Sequence, residues 1–168
     1  MQINNKTISI NSIPAAYKKL TAFVGQWNLE GEPYEGAGFP GHAAWITTLE
    51  YCEELENELC LVHRIKGDAE ELVIANIEVI AHDEKNKFYS IRSFYSDDKI
   101  LEWRSREHNG IWKLTGYKKA EGNLLQVRST TIFSSCGNAM AIQWEQLNND
   151  GEWETFWNVK AKKVMQAA

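Results

Sequence analysis

The sequence predicts an all-β fold, an antiparallel up-and-down barrel of about ten strands that follows one short helix. Turn signals recur along the chain, and the stretches between them alternate apolar with polar residues and are rich in Val, Ile, Thr and aromatics. Asn109-Gly110 and Asp150-Gly151 favour tight hairpins, because these residue types tolerate a positive φ. An open sheet of consecutive hairpins would expose two edges, whereas a closed barrel exposes neither.

The short helix is expected over residues 13–24, ahead of the first strand. Pro14 suits the first turn of a helix. Four apolar residues recur there at helical spacing, namely Ile13, Tyr17, Leu20 and Val24. The segment is therefore predicted to lay one apolar face against the barrel.

The barrel is expected over about 24–164, and the 168 residues form one domain because this length suits a single core. One alternative is open at residues 45–62, where apolar residues also fit a helical face. A helix there would give an α+β sheet packed on helices. The β-branched run Ile46-Thr47-Thr48 favours strands instead.

Composition excludes several classes of protein. Lys and Arg number 18 against 23 Asp and Glu, so the net charge of −5 offers no attraction for nucleic acid or an anionic membrane. No apolar run approaches the roughly 20 residues that cross a bilayer, and no secretory leader is visible. Cys52, Cys60 and Cys136 lack disulfide or zinc spacing, which favours a cytoplasmic protein. The scattered His residues predict no metal site, and no cofactor is expected.

Alternation along the strands predicts which side chains face inward. All seven Trp are expected inside. On the second strand the predicted inward set is Trp45, Thr47, Leu49 and Tyr51. Further along, the predicted inward residues are Val73, Ala75, Ile77 and Val79, then Phe88, Ser90, Arg92 and Phe94, and on the last strand Trp153, Thr155, Trp157 and Val159. The opposite face reads as solvated.

The inward set contains the candidate binding residues, because ligand sites are mostly apolar and aromatic with a few convergent polar groups. Arg92 is the one inward group that must carry charge, so it either meets a carboxylate, stacks on Trp or awaits an anionic ligand. His63 titrates near neutral pH and suits hydrogen bonding or acid–base work. The predicted ligand-binding residues are Trp45, His63, Arg92, Trp103, Ser129, Trp144 and Trp157.

Two segments resemble a known family. The segment Leu20 to Trp27, which ends in Gly25-Gln26-Trp27, resembles the helix and first strand of calycin-type barrels, where a G-x-W motif closes one barrel end. The segment 150–157 is similar to the last hairpin of an uncharacterised bacterial family of lipocalin-like barrels. The resemblance implies a barrel that hosts a binder, a carrier or, less often, an enzyme.

The resemblance extends distantly to fatty-acid-binding-type barrels and to nitrobindin-like haem barrels. In the haem barrels a late-strand His ligates the iron, but here no His follows His108, so haem is not expected.

Three functions follow as hypotheses. The first is non-enzymatic binding of a small, largely apolar molecule with an anionic or polar head, with no catalytic residues. The second is an isomerase or cyclase in which His63 is the acid or base and Arg92 stabilises an oxyanion. The third is a protein with a solid core and no ligand. The partner expected under the first is a small apolar or amphipathic molecule, and a homodimer is left open.

Overall fold

The computed structural model describes residues 13–34, 41–52, 58–66, 72–96, 99–120 and 122–164. Ten antiparallel strands form a closed barrel behind one 3₁₀ helix, Ala15–Ala22, so the predicted fold is confirmed. The strands are β1 (Gly25–Gly31), β2 (His42–Cys52), β3 (Glu58–Lys66), β4 (Leu72–Asp83), β5 (Phe88–Tyr95), β6 (Ile100–His108), β7 (Ile111–Ala120), β8 (Asn123–Phe133), β9 (Ala139–Leu147) and β10 (Trp153–Lys163).

Each strand pairs with the next in sequence, and β1 closes the barrel on β10. The closure leaves no strand edge unpaired in the sheet, as expected for consecutive hairpins. Within the region 45–62, β2 and β3 pair from Trp45↔Ile65 to Cys52↔Glu58. The helical alternative for that region is therefore wrong, and the β-branched run after Trp45 is strand.

The helix packs across one end of the barrel, here called the helix end. Leu20 is 1% exposed and Phe23 meets both Trp112 and Phe133 edge-on, each at 5.1 Å between ring centroids. The Tyr89 hydroxyl donates to the Ala16 carbonyl at 2.6 Å. Aromatic edge contacts and buried aliphatic side chains stabilise this end as a dense core.

The Gly25-Gln26-Trp27 motif lies at the helix end. Gly25 has φ 138°, a conformation that favours glycine, and a Cβ there would lie 2.5 Å from the Lys163 side chain. Trp27 is 1% exposed and its indole N–H donates to the Phe23 carbonyl at 2.8 Å. The Lys163 ammonium lies 4.9 Å from the Trp27 ring centroid, a cation–π contact. The motif thus joins the helix, β1 and β10.

The outer face of β3 and β4 is also buried, unlike the outer face of an ordinary solvated barrel wall. Cys60 and Val62 have no exposed surface, and Ile77 packs with them. Beside them Arg64 Nη1 donates to Glu50 Oε1 at 2.9 Å. Apolar residues therefore stand on both faces of β4, which removes the contrast on which an alternation argument depends.

The predicted register of β4 is wrong. Asn76 pairs with His63 and Glu78 with Leu61 on the inner face, and Ile80 belongs to the inner core. A β-bulge on β4, between the residues paired with His63 and Arg64, shifts the alternation. Ile77 and Val79 consequently lie outside, Ala75 falls at the bulge, and the side chain of Val73 lies outside the described residues.

The predicted register of β5 is wrong by one residue, because both faces of this strand carry large apolar side chains. Tyr89, Ile91 and Ser93 are buried and face inward, since they pair with Ser105, Trp103 and Leu101 of β6. A shift of one residue moves every side chain to the other face. The four residues predicted inward therefore lie on the outer face: Phe88, Ser90, Arg92 and Phe94.

A second bulge lies at Phe156 of β10. It exchanges the inward-facing and outward-facing side chains at the start of this strand. Thr155 lies outside, where Gln143 donates to its hydroxyl at 3.0 Å. Trp153 also lies outside, with the Arg128 guanidinium 4.1 Å from its ring centroid. The prediction that all seven Trp face inward is thus wrong for Trp153 alone.

Candidate binding site inside the barrel

Five polar side chains meet on the inner wall away from the helix, towards what we call the distal end. They are contributed by neighbouring strands, because Thr47 on β2 pairs with His63 on β3, and His63 pairs with Asn76 on β4. Glu78, two residues along β4, pairs with Ser93 on β5. We call this set the inner polar cluster: Thr47, His63, Asn76, Glu78 and Ser93.

The imidazole of His63 has a partner on each nitrogen. Nδ1 lies 3.1 Å from Thr47 Oγ1, and Nε2 lies 3.5 Å from Glu78 Oε2. Ser93 Oγ donates to the other carboxylate oxygen, Oε1, at 3.2 Å, and the Asn76 amide approaches the same oxygen at 3.5 Å. Because an ionised carboxylate only accepts, His63 Nε2 carries the proton in this arrangement.

The carboxylate of Glu78 is held ionised. Burial raises the pKa of Glu78, but the hydrogen bond and charge of His63, together with hydrogen bonds from Ser93 and Asn76, outweigh burial and lower that pKa below its ordinary 4.5. The Glu78 side chain is therefore a charged hydrogen-bond acceptor at neutral pH. Such a group favours a ligand that offers a hydrogen-bond donor.

Two members of the inner polar cluster keep accessible surface, whereas Thr47, Asn76 and Ser93 are buried. The side chain of His63 is 14% exposed and that of Glu78 is 21% exposed. A barrel of eight strands has an interior just wide enough to be filled or to hold one small ligand, and a ten-stranded barrel is wider. His63 and Glu78 therefore retain contact with solvent.

Trp45 adds an unused hydrogen-bond donor to this region. Its ring lies 5.9 Å from that of His63 in an edge-on arrangement. Its indole nitrogen is buried and, among the described side chains, is the one buried polar atom with no hydrogen-bond partner. A buried unpaired donor costs about 1–3 kcal/mol, so a ligand that supplies an acceptor would recover that energy.

Aromatic side chains surround the same interior on the opposite strands. Trp103 and Trp144 meet edge-on at 5.7 Å, and Trp144 lies 6.5 Å from Phe156. Trp157 stacks on Tyr34 at 5.3 Å. These rings offer an apolar wall facing the polar groups of β2 to β5.

Gly116 makes room for one of these rings. A Cβ at this position would lie 2.4 Å from the Trp103 ring and 2.8 Å from the Glu102 carbonyl oxygen. Because Gly116 pairs directly with Trp103, the indole lies flat against the bare backbone of β7. The orientation of the Trp103 ring therefore requires glycine, which has no side chain, at position 116.

The structure gathers most of the predicted ligand-binding residues on the inner face. Trp45, His63, Trp103, Ser129, Trp144 and Trp157 all face inward.

Arg92 does not face inward. Its side chain is 59% exposed and pairs with Glu102 across β5 and β6, with Nη2 3.1 Å from Oε1. The prediction that Arg92 faces inward is wrong because the register of β5 differs by one residue from the predicted one. Because Arg92 and His63 lie on opposite faces of the sheet, they do not converge on one group.

Sequence reasoning missed Asn76, Glu78 and Ser93. A signal was present in the run Val73 to Ile80, where Glu78 is the single charged residue among apolar neighbours. A lone carboxylate in such a strand requires hydrogen-bonding partners wherever it is buried. Its partners lie on β3 and β5, far away in sequence.

Two depressions lie outside the barrel interior. One, of about 840 Å³, follows the outer face of β10, β1 and β2 beside His42 and Lys160. The other, of about 210 Å³, lies at the helix end beside His82, where Lys19 pairs with Glu107 and Lys87 with Glu84. The charged side chains of the second depression are thus already matched to one another.

Over the described ranges, no three His, Cys, Asp or Glu side chains gather as metal ligands would. None of the helical residues that the structure describes belongs to a helix long and apolar enough to span a membrane. Comparison with known proteins found no protein-family model that matches the chain and no curated protein with significant similarity to it.

Proposed function

We propose that the protein binds one small, largely apolar molecule with a polar head in the distal half of the barrel, and that it acts as a lipocalin-like, calycin-type binding barrel. The observation that carries the proposal is the inner polar cluster, in which His63 and Glu78 keep accessible surface beside an unpartnered Trp45 N–H. Packing at the helix end stabilises the fold, so polar side chains are tolerated in the distal half of the interior.

The cluster also defines the head of the ligand. Glu78 accepts hydrogen bonds and Trp45 donates one. A hydroxyl, an amide or a secondary amine has both functions. The apolar body then contacts the ring set of Trp103, Trp144 and Phe156.

The alternatives fit the structure less well. An isomerase or cyclase that uses His63 with Arg92 requires both groups on one substrate, and they lie on opposite faces of the wall. A solid core would leave His63 and Glu78 without accessible surface, and both retain it.

A neutral aromatic amine, N-phenylnaphthylamine, tests the proposal by titration, with its own emission and tryptophan quenching as readouts. Adjacent alanines provide a matched pair of variants. Ala43 faces inward opposite Leu29, whereas Ala44 faces outward opposite Asn28. We expect saturable binding to the native chain, at least about tenfold weaker binding to Ala43→Phe, and unchanged binding to Ala44→Phe.

The titration has two contradicting outcomes. If the native chain shows no saturable binding, the barrel is not a receptor for such molecules. If both alanine variants bind like the native chain, the probe lies outside the barrel and the proposed site is wrong. Circular dichroism confirms that each variant is folded.

A further inference from the structure

Lys118 on β7 is a cation on the inner side of the barrel wall. It follows Gly116 by two residues, so both lie on the inner face of β7. Its ammonium nitrogen lies 4.1 Å from the centroid of the Phe156 ring and 3.5 Å from the hydroxyl of Tyr34. Tyr34 in turn packs against Phe156 at 5.4 Å and stacks on Trp157. Phe156 and Tyr34 therefore contact this ammonium directly, and Trp157 packs against Tyr34.

This cation has no carboxylate partner among the residues that the structure describes. Two arginines on other strands do pair with glutamates, Arg64 with Glu50 and Arg128 with Glu145. The chain carries more acidic than basic residues, so a shortage of carboxylates does not explain the difference. An ammonium fixed on aromatic rings and left without a counter-ion is suited to receive an anion.

We propose that Lys118 and Tyr34 form an anion subsite at the distal end, so that the ligand is an amphipathic organic anion. The inference rests on the proposed function and adds the charge of the ligand. Lys118 donates to the Tyr34 oxygen, which leaves the phenol proton of Tyr34 free to donate to the same anionic group. The subsite joins Lys118 of β7 to Tyr34, which follows β1, whereas the inner polar cluster lies on β2 to β5. The anion therefore avoids the Glu78 carboxylate.

Two probes that differ by one anionic group test the subsite. Anilinonaphthalene sulfonate and N-phenylnaphthylamine share the same aromatic body, and only the first is charged. We expect Lys118→Met to weaken binding of the sulfonate by about tenfold, because a charge-assisted contact is lost, and to change binding of the neutral amine less than about twofold. Lys119→Met is the control, since Lys119 is the next residue, exposed and outward-facing.

The outcomes separate this inference from the proposed function. Suppose that both probes bind the native chain. If Lys118→Met then weakens the binding of both probes equally, or of neither, the proposed anion subsite is wrong while the binding site in the barrel stands. If neither probe binds the native chain, the proposed function fails and the subsite with it. Lys118→Arg keeps the charge and is expected to keep sulfonate affinity within about threefold of the native value.

Discussion

Two regions of the barrel are built differently. At the helix end Leu20 and Trp27 are each 1% exposed, the indole N–H of Trp27 is paired, and aromatic rings meet at close range. On the inner wall of β2 to β4, His63 and Glu78 keep accessible surface, and the indole N–H of Trp45, the β2 partner of Trp27, is unpaired. One region is organised for packing, whereas the other leaves hydrogen-bonding capacity unused, as a binding site does.

The largest expected effect is on stability at the helix end. Trp27→Ala removes a fully buried ring and its hydrogen bond, and we expect a loss of about 3–5 kcal/mol in the free energy of unfolding. Trp144→Ala removes a ring that is only partly buried and should cost no more than about half as much. Urea unfolding followed by circular dichroism measures both. Equal losses would contradict the difference in packing between these two rings.

A smaller effect is expected at Gly116, which supports the aromatic wall of the distal half. Gly116→Ala forces the Trp103 ring and the Glu102 carbonyl away from the new Cβ, at a cost of about 1–3 kcal/mol. Thr115→Ala, at the adjacent exposed outer position, is the control and should cost less than about 0.5 kcal/mol. If Gly116→Ala unfolds at the same urea concentration as the native chain, Trp103 does not lie against β7.

The inner polar cluster gives a pH-dependent prediction. The pKa of Glu78 is lower in the folded chain than its ordinary 4.5, so its ionised form stabilises the fold fully above pH 4.5, and this contribution disappears as the pH falls through the lowered pKa. Glu78→Gln should therefore be less stable than the native chain at pH 7.

The gap in unfolding free energy between Glu78→Gln and the native chain should narrow steadily below pH 4.5. Unfolding in urea at pH 7, 5, 4 and 3 measures it. A gap that stays constant or widens on acidification would show that the Glu78 carboxylate is not stabilised by its partners.

The smallest effect is expected at Arg92. Its side chain is exposed and forms a surface pair with Glu102, so Arg92→Gln should change the unfolding free energy by less than about 0.5 kcal/mol and leave probe binding unchanged. Weaker binding of N-phenylnaphthylamine to Arg92→Gln would place this residue at the site and overturn the register of β5.

The barrel was predictable because turn residues and the alternation of apolar and polar residues along a strand are local features of the sequence. Asn109 has φ 52° and Gly110 has φ 78°, as the hairpin signal Asn-Gly requires. The 3₁₀ helix at Ala15–Ala22 falls within the predicted helix, and the strands of the barrel fall within the predicted limits. The inward position of His63 and Trp45 also followed from alternation.

The register of β4 and of the start of β10 was not predictable from alternation. Each strand contains a bulge, and a bulge has no hydrophobic signature. On β4 the outer residue Ile77 is buried as firmly as many inner ones, so both faces read as apolar. That ambiguity hid Glu78. On β5 Phe88 and Phe94 make the outer face read as apolar too, which placed Arg92 on the wrong face.

The histidines allow one direct measurement of where a ligand binds. His63 lies in the inner polar cluster, His82 lines the depression at the helix end, and His42 lines the groove on the outer face. The imidazole proton resonances, assigned with the variants His63→Gln, His82→Gln and His42→Gln, are followed by NMR during titration with N-phenylnaphthylamine. We expect the His63 resonances to shift saturably and those of His82 and His42 to stay in place. A shift at His82 or His42 with His63 unchanged would contradict binding inside the barrel.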